Sequence, residues 1–263
     1  MEKFKLRTVL GSKMYFIPED GGISKELLYG SKHFSIQEPI IREGRATLAV
    51  IDYLRKGMIC IDIGANLGYY ALLEARKVED TGYVYAIEPV KKNAETLEKS
   101  IKINKFKNIK VYQLAIGSDN CDGEIFIHSK SNLCMINSPK LKERDGNIGI
   151  SKTKILTLDS FCKIENINRI DLLRMDVEGY EAEIIKGMGK AVKLMPKGAM
   201  MFIEIHPKHM QNMKLAKKMI DIIKAYGFKM GATQNISSKI RNLEELKKEL
   251  NDKKCPRVIF RKI

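Results

Sequence analysis

A short run of glycines, one asparagine and one acid follows the first strongly apolar segment of the chain. Its chemically informative residues are Asp62, Gly64, Ala65, Asn66 and Gly68, within the stretch IDIGANLG. Glycine lets the backbone turn sharply, and it lets a ligand approach the first turn of the helix that we expect to follow. The pattern therefore predicts a small-molecule site at the point where a strand passes into a helix.

A second acid ends the next apolar segment. Glu88 lies 24 residues after Gly64, and Pro89 then stops the predicted strand. A carboxylate at the carboxyl end of such a strand can accept hydrogen bonds from the hydroxyls of a ribose. A dinucleotide fingerprint would place a bare glycine against the pyrophosphate, whereas this chain has Asn66 there and Asp62 beside it. Because this environment suits a cationic amino-acid group better than a diphosphate, it points to S-adenosylmethionine.

Further ionisable residues lie at the carboxyl ends of two later apolar segments. They are Asp176 and Glu178 in the first segment, and Glu204 and His206 in the second. If both segments are parallel strands, these side chains lie on the ligand side of the sheet. We take Asp176, Glu178 and His206 as candidate catalytic residues, and the ordinary pKa of His206 suits a general base best. No tight ligand spacing links them, so no metal is expected. The remaining histidines are expected at the surface: His33, His128 and His209.

Alternating strands and helices must position these residues. Continuous apolar runs predict strands, and apolar residues at helical spacing predict helices. The predicted strands are 58–64, 83–89, 109–117, 170–179, 199–207, 228–232 and 256–263. The predicted helices are 67–78, 91–104, 181–194 and 208–226. This alternation is typical of an α/β fold with a doubly wound, mostly parallel sheet.

An insertion at about 122–158 interrupts the alternation between the third and fourth of these strands. It contains two strand-like segments, 123–129 and 152–158, that could pair as an extra hairpin. The polar loop 130–150 between them is long enough to be functional. We therefore expect this loop to contribute to substrate specificity.

Several segments resemble the FkbM family of S-adenosylmethionine-dependent methyltransferases, in family order and spacing. They are IDIGANLGYY (61–70), AIEP (86–89), QLAIGSD (113–119), TLDSF (157–161), DLLRMDVEGYEAEIIKGM (171–188) and FIEIHP (202–207). The resemblance covers about 58–230, and its most specific feature is the D-x-E-G block at 176–179. It implies a class I methyltransferase fold, which is a Rossmann-like, doubly wound, seven-stranded sheet with an antiparallel last strand. It also implies methyl transfer, usually to oxygen.

The resemblance also assigns residues to the cofactor, S-adenosylmethionine. Around its methionine part it places Asp62, Gly64, Ala65, Asn66 and Gly68. It places Glu88, with Pro89, at the ribose, and Ala115 and Ile116 in a loop beside the adenine. Asp176 falls where the fourth strand points at the methyl group. Residues 1–57, with a helix predicted at 42–55, form an N-terminal extension over the cofactor mouth of the 58–263 methyltransferase domain.

The excess positive charge is concentrated in the last part of the sequence. The 263 residues carry a formal net charge of +15. Residues 208–263 hold 15 basic and 5 acidic side chains, a net charge of +10. Such a patch can bind nucleic acid, but it is also typical of a solvated, lysine-rich helix face. No aromatic residues are interleaved with these lysines as a base-stacking platform would require.

The composition predicts a globular, cytoplasmic protein. No apolar run approaches the roughly 20 residues of a membrane span, and the first residues lack the apolar region of a signal peptide. The five cysteines are odd in number and lack a C-x-x-C motif, which argues against disulfides and a zinc ribbon. Abundant lysine, glutamate and isoleucine, with no tryptophan, resemble the composition of thermophile proteins.

The leading functional hypothesis is O-methylation of a hydroxyl on a small molecule or glycan. The alternative is an RNA methyltransferase that uses the basic C-terminal region. Against it, RMDV at 174–177 stands where amine-methylating enzymes carry an N/D-P-P-Y/F motif, and no separate RNA-binding module is evident. A non-catalytic binding module and a nicotinamide-dependent oxidoreductase are further alternatives. No membrane partner is expected, and the sequence leaves the oligomeric state and the acceptor open.

Overall fold

The computed structural model of the chain describes residues 4–29, 42–136, 147–210, 212–234 and 240–263. Its strands are β1 (Lys5–Val9), β2 (Ser12–Phe16), β3 (Ile59–Ile63), β4 (Tyr83–Ile87), β5 (Ile109–Tyr112), β6 (Ala115–Gly117), β7 (Cys121–His128), β8 (Met135–Ile136), β9 (Asn147–Thr157), β10 (Leu172–Met175), β11 (Met200–Glu204), β12 (Phe228–Gln234) and β13 (Arg257–Lys262). Its α-helices are α1 (Ile23–Tyr29), α2 (Gly44–Tyr53), α3 (Tyr69–Val78), α4 (Lys91–Asn104), α5 (Leu158–Ile164), α6 (Glu181–Lys186), α7 (Met213–Ala225) and α8 (Leu243–Glu249). Short 3-10 helices lie at Ser131–Leu133 and Ala191–Leu194.

A seven-stranded sheet forms the centre of the fold. Its strand order among the described residues is β12-β13-β11-β10-β3-β4-β5. The pairs β3–β10, β10–β11 and β4–β5 are parallel, whereas β13 runs antiparallel to both β11 and β12. The predicted sheet, with its antiparallel last strand, is confirmed. The apolar runs of β3, β10 and β11 are almost wholly buried, as expected for central strands covered on both faces.

The chain divides into two compact units, each built from several segments. The first consists of Met1–Met58, Gly64–Leu114 and Gly123–Thr153, and the second of Ile59–Ile63, Ala115–Asp122 and Lys154–Ile263. The division into an extension at 1–57 and a domain at 58–263 stays a prediction from sequence. No helix in the described ranges is both long and apolar enough to cross a bilayer.

Within the first unit, the hairpin of β1 and β2 is attached to α4. The backbone N–H of Tyr15 donates to Oγ of Ser100 at 2.9 Å. The side chain of Asn104 bonds both backbone polar groups of Lys13, at 2.9 and 2.6 Å. The helix predicted at 42–55 is present as α2.

A buried aspartate ties the insertion to the N-terminal segment of the same unit. The carboxylate of Asp20 accepts hydrogen bonds from the backbone N–H and the hydroxyl of Ser131, at 2.8 and 2.9 Å. Oγ of Ser131 also lies 3.4 Å from Oδ1 of Asn66, in the glycine-rich turn. The two strand-like segments of the insertion are neighbours, as β7 and β9, in a four-stranded sheet of order β6-β9-β7-β8. Residues 137–146 of the predicted loop lie outside the described residues, as does His33.

The single strand predicted at 109–117 is wrong. The chain leaves the central sheet after Tyr112, where a tight turn brings the N–H of Leu114 to the carbonyl of Tyr112 at 2.9 Å. Residues Ala115–Gly117 then pair in parallel with β9 instead. Because apolar residues occur on both sides of the break, the hydrophobic pattern does not reveal it.

Other predicted elements end earlier or begin later than expected. The strand at 170–179 ends at Met175, and the helix at 181–194 ends at Lys186 and is followed by a 3-10 turn. The helix predicted from 208 begins at Met213, because Oδ1 of Asn212 caps it by accepting from the N–H of Leu215 at 3.0 Å. The turn before this helix brings a histidine into the site described next.

Candidate active site

The glycine-rich turn between β3 and α3 depends on left-handed backbone angles. Gly64, Asn66 and Gly68 have φ of 80°, 50° and 94°. Such angles cost little for glycine and are tolerated by asparagine, which explains these residue types. The N–H groups of Gly64 and Ala65 both donate to the carbonyl of Ile87, at 2.9 and 3.0 Å. The turn is therefore fixed to the end of β4.

Glu88 completes this turn. One carboxylate oxygen accepts from the N–H of Asn66 at 2.8 Å, and the other accepts from the N–H of Val90 at 3.0 Å and the side chain of Asn93 at 3.3 Å. Glu88 is buried, and Pro89 after it is half-buried. The structure therefore brings together Glu88 and the glycines, as the sequence predicted. We call Gly64–Gly68 with Glu88 the glycine turn.

Asp62 is wholly buried and bound to a cation of the chain itself. Asp62 on β3 and Arg174 on β10 are register partners on adjacent parallel strands. Nη1 of Arg174 donates to Oδ1 of Asp62 at 2.8 Å, and Nη2 donates to Oδ2 of Asp176 at 3.1 Å. One guanidinium thus links the carboxylates of Asp62 and Asp176.

Ala115 and Ile116 lie in a strand and not in a loop, which corrects the expectation from the resemblance. Both belong to β6, where they pair with Ile155 and Leu156 of β9. Their side chains are buried. Whether their backbone contacts an adenine stays a prediction.

His206 lies among four carboxylates at the carboxyl ends of β10 and β11. Its Nδ1 is 2.7 Å from Oε1 of Glu181, at the start of α6. Its Nε2 is 3.8 Å from Oε1 of Glu178, and 3.9 Å from oxygens of both Asp176 and Glu204. The imidazole is almost completely buried. We call Asp62, Arg174, Asp176, Glu178, Glu181, Glu204 and His206 the acid–histidine cluster.

The carboxylates determine the protonation state of His206. Burial lowers the pKa of His206, but the hydrogen bond and charge of Glu181, with the charges of Glu178 and Asp176, raise it more. The pKa therefore lies well above its ordinary value, and the imidazole is protonated at neutral pH. The ordinary histidine pKa assumed from sequence does not apply here.

The D-x-E-G block turns the chain sharply after β10. Glu178 has φ of 52° and Gly179 has φ of 106°. A Cβ on Gly179 would lie 2.6 Å from Cβ of His209 and 2.7 Å from its carbonyl carbon, so only glycine fits. The N–H of Gly179 donates to Oε1 of Glu181 at 3.1 Å. This turn directs Glu178 and Glu181 towards His206.

The expectation that His209 is a surface residue is wrong. Its ring stacks on that of His206, with centroids 5.7 Å apart and planes 3° from parallel. Its Nδ1 is 2.9 Å from Oε2 of Glu178, and only 14% of its side chain is exposed. The turn at 206–209, closed by the N–H of His209 on the carbonyl of His206, produces this stacking.

A comparison with protein-family models identifies the family of this chain. A family model described as "Methyltransferase FkbM domain" matches residues 62–230, which is more than half of the chain.

The chain belongs to the FkbM methyltransferase family.

Individual relatives of this FkbM chain are distant. It is 22% identical over 150 residues to "Methyltransferase 1" of Beauveria bassiana (strain ARSEF 2860), a match that covers 49% of this chain and 57% of the fungal protein. Trm5b from Pyrococcus abyssi superposes with a TM-score of 0.50 at 13% identity, covering 98% of this chain and 55% of that one. TYW2 of P. horikoshii, in complex with MeSAdo, gives a TM-score of 0.50 at 14% identity, covering 99% and 72%. At these identities the structural likeness shows a shared fold. The seven-stranded sheet is the class I methyltransferase fold.

Sequence reasoning did not identify Arg174, Glu181 and Arg257 as members of this candidate site, and it placed His209 at the surface. Glu181 resembles any acid in the first turn of a helix. Arg257 lies opposite Glu204 in the antiparallel register of β13 and β11, and its guanidinium bonds both carboxylate oxygens at 2.9 Å. Only the pairing of distant strands reveals this contact. The alternating signs in DLLRMD were the one local signal that could have identified Arg174.

Proposed function

We propose that this chain transfers the methyl group of S-adenosylmethionine to a hydroxyl oxygen of a small molecule or glycan. Membership of a methyltransferase family supports the transfer itself. The observation that carries the choice of a hydroxyl is the acid–histidine cluster, because a hydroxyl must lose its proton during methylation and benefits from a nearby base.

The residues assigned to S-adenosylmethionine are Asp62, Gly64, Ala65, Asn66, Gly68, Glu88, Pro89, Ala115, Ile116 and Asp176. One feature of the glycine turn fits this cofactor. The residue before α3, Gly68, provides no side-chain cap, so the N–H groups of the first helical turn are suited to an anion such as the methionine carboxylate. If the ammonium group of the cofactor's methionine part bound at Asp62, it would share this carboxylate with Arg174.

When bound, S-adenosylmethionine would supply an electrophilic methyl group, and its sulfur would keep the electron pair of the broken carbon–sulfur bond. The chain has to hold the acceptor hydroxyl in line and to accept its proton. Asp176, Glu178 and His206 are the candidate bases. Because His206 is protonated at neutral pH, we propose that Asp176 or Glu178, with side chains 22% and 12% exposed, takes the proton.

The alternative acceptor is RNA, and the basic region 208–263 is the observation that favours it. Part of this charge is paired in the structure. Lys224 contacts Glu244 at 2.8 Å, and Lys247 contacts Asp221 at 2.6 Å. These pairs match a solvated helix surface, so RNA remains the second candidate.

The test uses methyl-labelled S-adenosylmethionine and cell extract separated into RNA, lipid, polysaccharide and small-molecule fractions. The variant Asp176→Asn removes a candidate base but keeps an oxygen for Arg174. The matched control is Asp122→Asn, which changes an exposed aspartate paired with Lys154. Label in a non-RNA fraction that is lost only in Asp176→Asn supports the proposal. Label confined to RNA overturns the acceptor class, and no label in any fraction overturns the transfer.

A further inference from the structure

We propose that Asp176, Glu204 and His206 form a binding site for one divalent transition-metal ion. One ligand atom from each residue, two carboxylate oxygens and an imidazole nitrogen, lie within 4.8 Å of one another. Asp176 lies at least 28 residues before the other two in the sequence, so the three form no tight ligand spacing there. The parallel pairing of β10 with β11 removes that separation, because Met175 and Ile203 are register partners.

Nε2 of His206 faces the other two ligands, and an ion bound there would displace the proton on this nitrogen. Nδ1 is engaged by Glu181, so the ring presents Nε2 to Oδ1 of Asp176 and Oε1 of Glu204, each 3.9 Å away and beyond hydrogen-bonding distance. Ligands of a tetrahedral ion, each about 2.1 Å from it, lie roughly 3.4 Å apart. Nε2 would therefore have to approach each oxygen by about half an ångström, and the two oxygens, which lie within 4.8 Å of each other, would have to close by up to about 1.4 Å.

Each of the three ligands has an outer partner that orients it. Glu181 accepts the hydrogen bond of the histidine at 2.7 Å, in the carboxylate–histidine arrangement typical of metal sites. Arg174 holds Asp176 at 3.1 Å, and Arg257 holds Glu204 with two contacts of 2.9 Å. Ligating carboxylates are themselves usually hydrogen-bonded in this way. Both carboxylates lie at or just past the ends of rigid central strands, which preorganises the group.

The donor set indicates the class of ion. One imidazole and two carboxylates favour Mn²⁺, Fe²⁺, Co²⁺ or Zn²⁺ over Mg²⁺ or Ca²⁺, which prefer oxygen ligands alone. If the proposed function holds, such an ion would bind the acceptor hydroxyl and lower its pKa. Glu178, outside the ligand trio, would then accept the proton. This last step rests on the proposed function, whereas the metal site does not.

The full chain is first treated with a chelator and then titrated with Mn²⁺ and, separately, with Zn²⁺. Calorimetry detects binding of both ions, and electron paramagnetic resonance also detects binding of Mn²⁺. The expected result is one saturable site per chain. His206→Asn should weaken binding at least tenfold. Glu181→Gln, which leaves all three ligands in place, should weaken it by about 10–100-fold. His128→Asn is the matched control, because His128 ends β7 and lies outside the acid–histidine cluster, and the affinity of this variant should equal that of the unmodified chain.

Circular dichroism and the melting temperature establish that each variant folds. If His206→Asn does not fold, Glu181→Gln takes its place as the test variant. Absence of saturable binding, or equal affinity in His206→Asn and His128→Asn, overturns the metal site. The methyl-transfer assay is run separately with and without chelator. An undiminished rate in chelator overturns the catalytic role of the ion, while metal binding without any methyl transfer overturns the proposed function and leaves the site intact.

Discussion

The glycine turn and the acid–histidine cluster hold their carboxylates in place in two different ways. In the glycine turn, Glu88 is bound by neutral donors: the backbone N–H groups of Asn66 and Val90 and the amide of Asn93. In the cluster, charged groups hold one another, and the guanidinium of Arg174 links two acids. The turn draws its partners from a short stretch of chain, whereas the cluster draws them from β3, β10, β11, β13 and α6. Hydrogen bonds between residues close in the sequence therefore stabilise the glycine turn, whereas ion pairs between residues far apart in the sequence stabilise the cluster.

The largest expected effect comes from removing one charge of the buried pair in the cluster. Asp62→Ala leaves Arg174 without its closest acid in a site where its side chain is only 6% exposed. Loss of one partner of a buried ion pair costs about 3–5 kcal/mol of unfolding free energy, which urea denaturation measures. The double variant Asp62→Ala, Arg174→Met should recover most of the loss. An equal loss in both would show that packing, and not charge, dominates the pair.

The next largest effect separates two glycines at comparable left-handed angles. A Cβ on Gly179 would meet Cβ and the backbone of His209, which cannot yield easily. A Cβ on Gly68 would meet the flexible end of Leu97. Gly179→Ala should therefore cost about 2–3 kcal/mol and Gly68→Ala about 1 kcal/mol, within the range for strained backbone angles. Urea denaturation of both variants checks the order, and a larger cost at Gly68 would reverse the contrast.

A smaller effect is expected from neutralising the acid of the glycine turn. Glu88→Gln keeps the shape of the side chain but turns one acceptor into a donor that faces a backbone N–H. The cost should be about 1–2 kcal/mol, because a charge-assisted hydrogen bond is lost. The same denaturation series measures it beside Asp62→Ala. If Glu88→Gln and Asp62→Ala lowered the free energy of unfolding equally, the two regions would not differ in how strongly they depend on charge.

The smallest expected effect is a difference in thiol reactivity, which reports the electrostatic environment of the cluster without changing the protein. Burial raises the pKa of the Cys255 thiol; the charges of Glu204, Glu178 and Glu181 add to this, and that of His206 opposes it. Cys121 is exposed. Because the thiolate is the reactive form, limiting iodoacetamide at neutral pH should alkylate Cys121 well before Cys255. Peptide mass spectrometry gives the order, and faster labelling of Cys255 would contradict the electrostatics of the cluster.

The same contrast explains how far sequence reasoning reached. The bounds of α4 and the first residues of β3 and β4 were predicted to within a residue or two, because each depends on an apolar pattern within its own stretch of chain. The glycine turn was predicted with Glu88 beside it for the same reason. The cluster was predicted in part, because five of its seven residues were placed at strand ends: Asp62, Asp176, Glu178, Glu204 and His206. The partners that orient them, Glu181 and Arg257, follow from strand register, which one sequence does not specify.

The position of β13 has a consequence for how this fold is made. β13 follows every other strand in the chain, yet it lies between β11 and β12 in the central sheet. While the chain is being synthesised, β11 therefore presents an open edge until Arg257–Lys262 emerges. Open, apolar strand edges attract other chains, and they make partly made proteins prone to aggregation. The interval before β13 emerges is thus the stage at which a chaperone would protect the nascent chain most.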